Sequence, residues 1–145
     1  MKYNVTINEE NLNGYVNLTP MNGVDLFNPP IEAGSATELI INILDFIPAM
    51  LIHNVLKQYI NKLRHGGRII IQGTSASIVF KNFINDNLSL KELNIKIYGE
   101  GKHPWDIHRG IFDIDLIKQI FQVEKLKIEQ QSIVGDQFVI SGVRP

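Results

Sequence analysis

Cysteine is absent from the 145 residues. That excludes disulfides, thiol nucleophiles and cysteine-held metal, and with them the stapled frameworks of small secreted domains. An excess of either charge is also lacking. Fourteen Lys and Arg stand against fifteen Asp and Glu, a net charge of −1, with a pI near 6.4. Nothing here draws the chain to nucleic acid or to an anionic membrane, and neither is expected as a partner. Long apolar runs are missing too. The longest, Leu39 to Ile52, is interrupted by Asn42 and Asp45 and flanked by Glu38 and His53, too short and too polar to span a bilayer. No basic, apolar leader opens the sequence, so a soluble protein is expected, in the cytoplasm or in a virion if the source is viral. No Ser-His-Asp arrangement, P-loop or catalytic paired-glutamate spacing appears, leaving hydrolase and nucleotide-hydrolysing readings without support.

What is present is an ordinary globular composition, 44% hydrophobic and 20% charged, of a size for one domain over residues 1–145. The pattern centres on Leu63 to Gly73, LRHGGRIIIQG. It reads as a helix end, a glycine turn and a continuous apolar strand, the mark of a parallel strand covered on both faces and fed by a crossover helix. Before it, Tyr3–Ile7 and Tyr15–Leu18 read as strands, the second ended by Thr19-Pro20. Only about eight residues separate these two, short for a parallel crossover, so either the first helix is reduced to a turn or the strands are not parallel neighbours. Gly23–Phe27 is a third strand candidate, and Leu39–Leu44 a central one. From Pro48, the spacing of Leu51, Val55, Leu56, Tyr59, Ile60 and Leu63 predicts an amphipathic helix that ends at Arg64-His65-Gly66.

Downstream, Ser75 is placed to cap a helix through about Asp86, faced by Val79, Phe80, Phe83 and Ile84. Ser89 with Glu92 has capping-box spacing. Tyr98–Gly110, YGEGKHPWDIHRG, is a long irregular loop. Asp113 precedes a last helix, Ile114–Gln122, and two strands, Val123–Glu129 and Gln137–Val143, close the chain around a turn at Val134–Asp136. Helices alternating with strands, then a hairpin, predict an α/β fold: a mostly parallel sheet with an antiparallel C-terminal edge. The four histidines lack the convergent partners of a zinc site, and no metal is expected. His65 suits a helix C-terminus, and His53 a surface or boundary position.

In series, these segments resemble the class I S-adenosylmethionine-dependent methyltransferases, in particular a small bacterial and phage branch that starts directly at its first strand. The family opens approximately K-L-N-L-G-C-G-x-x-x-L-x-G-Y-x-N-V-D; this chain opens KYNVTINEENLNGYVNLT without a gap. GVDLFNPP, ELIINILDFIP, LKQYINKLRHGGRIIIQG and IYGEGKHPWDIHRGIFDIDLIKQIF follow in family order. Over-use of Ile and Asn agrees with an AT-rich bacterial or viral genome. The resemblance implies a Rossmann-like methyltransferase fold with a trimmed N-terminus, and a cofactor site at Thr6, Asn8, Thr19 and Asp45.

Those positions depart from the family pattern. Thr6-Ile7-Asn8 replaces the G-C-G turn, where glycine admits positive φ and close approach of the cofactor. Thr19 replaces the acidic residue that accepts the ribose hydroxyls, and a threonine hydroxyl is a weaker acceptor than a carboxylate. Leu44-Asp45-Phe46 replaces Leu-Glu-His. His103, Trp105 and His108 fall in the loop that overhangs the acceptor pocket in the family, and so are candidate contacts to a substrate or partner. The expected protein is therefore methyltransferase-like, with a degraded cofactor site, acting by binding, scaffolding or assembly with itself or a protein partner, and no cofactor is expected. The alternative is an active methyltransferase with an altered site for S-adenosylmethionine.

Overall fold

A computed structural model of the chain describes residues 1–8 and 10–145; Glu9, inside the opening stretch, lies outside them. Among the described residues six strands form one sheet: β1 (Lys2–Thr6), β2 (Val16–Leu18), β3 (Ala36–Asn42), β4 (Leu63–Thr74), β5 (Lys127–Val134) and β6 (Gln137–Val143). Their order is β2-β1-β3-β4-β6-β5. The first four run parallel and the β5–β6 hairpin antiparallel, as the alternation of elements predicts. Four α-helices among the described residues accompany them: α1 (Ile52–Lys62), α2 (Ala76–Ile84), α3 (Leu90–Tyr98) and α4 (Ile114–Val123).

Of the two readings of the short β1–β2 link, the first holds. The strands are parallel neighbours, with Tyr3 opposite Val16, and among the described residues no helix lies between them. Gly23–Phe27 is not a strand. Pro20–Asn22 forms a 3-10 turn left through Gly23 at φ +72°, and the Asp25 carboxylate accepts from the Phe27 amide at 2.9 Å. That local bond satisfies backbone that a strand would leave to a neighbour.

The central segment also differs from its sequence reading. α1 stops at Lys62, and Leu63 is already extended. The C-terminus draws these residues into the strand: the Gly66 amide donates to Arg144 O at 2.7 Å, and the Arg144 amide to Gly67 O at 2.9 Å. His65 is thus no helix-end cation, its Nδ1 lying 2.6 Å from Pro145 O. A Cβ on Gly67 would stand 2.9 Å from the carbonyl oxygen of Ala36, so β3 and β4 approach closely only with glycine there.

Coverage of the sheet is one-sided. Val5, Leu39, Ile41, Ile69, Ile71 and Ile140 are 0% exposed, and they share a face by register. α1 and α4 pack there, joined by His53 Nε2 to Glu124 Oε1 at 2.8 Å. Tyr59 of α1, fully buried, donates its hydroxyl to Leu26 O. The opposite face carries the row Asn17, Asn4, Ile40, Ile70, Ser141, Gln130. Helices α2 and α3 pack chiefly on each other, so among the described residues no helix lies along that row, although Asn4, whose Nδ2 donates to Glu10 O at 3.1 Å, and Ser141 are buried within it. Ile70 remains partly exposed, and the apolar run of β4 is not a strand buried on both faces.

Caps follow the sequence in part. Ser89 Oγ accepts from the Glu92 amide at 3.1 Å. Neither Ser75 nor Asp113 caps its own helix through its side chain. The Asp113 carboxylate instead accepts from the Ser77 amide, Ser77 Oγ and Ser75 Oγ at 3.0–3.1 Å, capping α2 from across the fold. On α2 only Val79 is buried, while Phe80 and Ile84 are exposed. Residues 124–126 turn through Lys125 at φ +61°, delaying β5 to Lys127. No described helix is long and apolar enough to cross a membrane.

Candidate functional site

The chain runs from β1 outward to β2, then returns to β3 on the other side of β1. This reversal of strand order opens a crevice at the carboxyl ends of β1 and β3, the place where open α/β sheets bind ligands. A cleft of two lobes sits there, the lobes sharing Ile7 and Phe46. The polar lobe, about 350 Å³, includes Asn8, Asp45, Thr74, Lys96, His103, His108 and Gln137 in its lining. The apolar lobe, about 270 Å³, is walled by Val24, Leu26, Phe27 and Trp105, with Asp25 and Arg109 also lining it.

Asp45 is the most constrained group in the polar lobe. It lies on a 3-10 turn just beyond β3, and its carbonyl oxygen accepts from the Arg109 amide at 2.7 Å. Its Oδ2 accepts from Thr74 Oγ1 at 2.7 Å, and Thr74 Oγ1 accepts in turn from Gln137 Nε2 at 2.9 Å. Gln137, Thr74 and Asp45 therefore form a directed chain ending on the carboxylate. Burial pushes the Asp45 carboxyl above its ordinary value; the Thr74 hydroxyl and the nearby His108 offset this only in part.

His108 sets its Nδ1 2.8 Å from Lys96 O. A carbonyl oxygen only accepts, so Nδ1 carries the hydrogen and a neutral ring keeps Nε2 as an acceptor. The ring meets Phe46 edge-on at 5.0 Å. His103 stacks on Trp105 with centroids 4.8 Å apart and planes within 10°. The Trp105 indole N–H is buried without a hydrogen-bond partner among the described residues, a desolvation cost at the cleft wall.

Asn8, Asp45, His103, Trp105 and His108 are thus brought together around one cleft. Thr6 and Thr19 do not line it. Thr6 is buried, its Oγ1 accepting from the Asn8 amide at 3.2 Å. Thr19 is buried and caps the following 3-10 turn. Of the two β-branched residues in the first turn, Ile7 lines both lobes. Sequence reasoning missed Asp25, Lys96, Arg109 and the Gln137–Thr74 relay. Asp25, six residues past Thr19, offered a signal as the next carboxylate in the chain; the others are assembled from distant segments. Among the described residues no group of three or more potential ligands could hold a metal.

No protein-family model matches the chain, nor does any curated protein. Solved structures do. A Pyrococcus horikoshii protein superposes with a TM-score of 0.66 at 10% identity, over 99% of this chain and 72% of that one. An S-adenosylmethionine-dependent methyltransferase from Methanosarcina mazei gives 0.62 at 9%, over 99% and 82%. An O-methyltransferase family protein from Burkholderia thailandensis gives 0.58 at 17%, over 90% of this chain and 36% of its own. The chain thus spans about a third of that last protein. At such identities the likeness is one of fold, and on this sheet order and these superpositions the chain has the Rossmann-like fold of the S-adenosylmethionine-dependent methyltransferases.

Proposed function

We propose that the chain is a methyltransferase-like protein of the compact bacterial or phage kind whose S-adenosylmethionine site is closed, and that it acts by binding or assembly rather than by methyl transfer. The observation that carries this is the turn after β1. No residue from Thr6 to Asn8 has positive φ, so the left-handed backbone that glycines would allow is absent. The Ile7 side chain, 5% exposed, stands in the cleft floor, and Thr19 is spent on a local cap. These residues do not fit the cofactor as the fold usually holds it: the close backbone approach and the ribose acceptor are both missing.

One solved neighbour, from Haloferax volcanii, is a putative methyltransferase in complex with an activator protein, which supports a protein partner as a role for this fold. A one-sided sheet supports it too, since it leaves more surface free than a doubly covered one. Place of action, cytoplasm or virion, goes with this reading.

Calorimetric and thermal-shift titration with S-adenosylmethionine and S-adenosylhomocysteine tests the proposal. Neither compound is expected to bind or to raise the melting temperature, and micromolar binding of either one refutes the reading. The triple substitution Thr6→Gly, Asn8→Gly and Thr19→Asp then asks whether those positions alone closed the site.

A second reading, an active methyltransferase with an altered site, is favoured by one observation. Asp25 supplies to the apolar lobe the carboxylate that Thr19 lacks. In that case Asp25 would accept the ribose hydroxyls, while His108, with Nε2 free, would face the acceptor. S-adenosylhomocysteine binding that is lost in Asp25→Asn distinguishes it.

A further inference from the structure

We propose that two copies of this chain pair edge to edge through β5, antiparallel about a two-fold axis at Ser132, joining their sheets into one. This gives the assembly reading a partner and a surface, and rests on that reading.

The two edges of the sheet are unlike. β2 is three residues long, Val16–Leu18, and Pro20 follows within two residues, so it offers little backbone to a new strand. β5 is eight residues long, Lys127–Val134, and residues 129–135 are all exposed. Among the described residues no strand neighbours its outer backbone groups, because β6 lies on its other side. Proteins guard such edges with charge, proline or a bulge. Here the bulge between Ile128 and Gln130 and the charges of Lys127 and Glu129 all lie at the start of the strand. Gln130-Gln131-Ser132-Ile133-Val134 has neither charge nor proline, and Ile133 and Val134 are 56% and 71% exposed.

A second copy fits this segment better than an unlike strand would. With one open edge per chain, head-to-tail addition through β2 has no template, while a two-fold pairing of β5 with itself closes. The axis at Ser132 sets Gln131 opposite the second copy's Ile133, and Gln130 opposite its Val134. No like charges meet, and both exposed aliphatic residues gain cover. Gln131 and Ile133 point to the helix-covered side, since they lie opposite Ile140 and Phe138.

The absence of cysteine gives a clean test. Residues directly opposite in an antiparallel pair have Cα separations of about 4.5–5.5 Å, within disulfide reach. Ser132→Cys is therefore expected to form a covalent dimer under mild oxidation, far faster than Asn87→Cys, an exposed control away from β5. Light scattering of the unmodified protein from low to high micromolar concentration should show the mass doubling, and Ile133→Lys should abolish the doubling without changing the far-UV spectrum. A single-chain mass throughout, together with Ser132→Cys cross-linking no faster than the control, overturns the proposal. So does a dimer that Ile133→Lys leaves intact. The cofactor titration is read separately: a non-binding monomer removes this inference and keeps the closed site, and a binding dimer does the reverse.

Discussion

Ile69, Ile70 and Ile71 are three identical side chains in one strand, so truncating each to alanine should measure the cover over each face directly. Ile69 and Ile71 are 0% exposed beneath the helices. Removing three carbons from either leaves an enclosed void, and a buried isoleucine truncated in this way costs about 3–4 kcal/mol. Ile70 faces the row that no described helix covers. Water fills the space its truncation leaves, so only partial burial is lost, about 1 kcal/mol. Strand propensity falls equally at all three positions and cancels in the comparison. A gap of about 2–3 kcal/mol between Ile71→Ala and Ile70→Ala follows, or about 6–10 °C in Tm for a chain of this size. Urea unfolding at low protein concentration measures it, with unchanged m-values confirming the same unfolded reference. Equal losses at 70 and 71 would refute the one-sided sheet.

Asp45 makes stability depend on pH in a defined sense. Because burial raises its carboxyl above the ordinary value, the folded state holds that proton more tightly than the unfolded chain. Its contribution is therefore full below the ordinary carboxylate range and is lost as pH rises through the raised value. Asp45→Asn should be more stable than the parent at neutral pH, with the advantage shrinking toward acid; urea midpoints across the pH range check this, and a pH-independent gap contradicts it. Ser89→Ala removes the bond to the Glu92 amide and should cost about 1 kcal/mol, read from the same unfolding curves. A loss near zero would show that α3 does not depend on its cap.

Local pattern was legible wherever local pattern decides. The predicted helical spacing holds at Val55, Leu56, Tyr59 and Ile60, but Leu51 is exposed on the 3-10 turn before α1 and Ile52 is buried in its place, and the parallel core with its closing hairpin follows from the alternation of elements. Failures came where distant residues decide. Leu63–Gly67 joins β4 because Arg144 and Pro145 return to pair with it. Gly23–Phe27 fails as a strand because Asp25 satisfies its own turn. At the cleft, Asp45 and the loop histidines were visible as chemistry-bearing side chains, and family order placed them. The Thr74–Gln137 relay and Arg109 were not visible, because each reaches the cleft from a segment with no signature of its own.

On the proposed reading, the turn after β1 and the sheet face without a helix have a common origin in the β1–β2 crossover. A ligand site at a strand-order reversal normally uses a strand, a glycine turn and the start of a helix, whose free N–H groups face the ligand. That helix also packs on the sheet and covers one of its faces. Here the described residues of the link from Thr6 to Val16 form no helix. The same shortening therefore removes the helix start beside the turn and a layer from the face that carries Asn4 and Ile70. Once the helix is absent, glycine at residues 6–8 no longer serves a turn leading into it, and β-branched side chains that stiffen the end of β1 are tolerated. On this argument, restoring glycine at two positions and a carboxylate at Thr19 returns room and an acceptor but no helix terminus. Weak or absent cofactor binding in that triple variant is the expected result, and tight binding would show that the missing helix was dispensable.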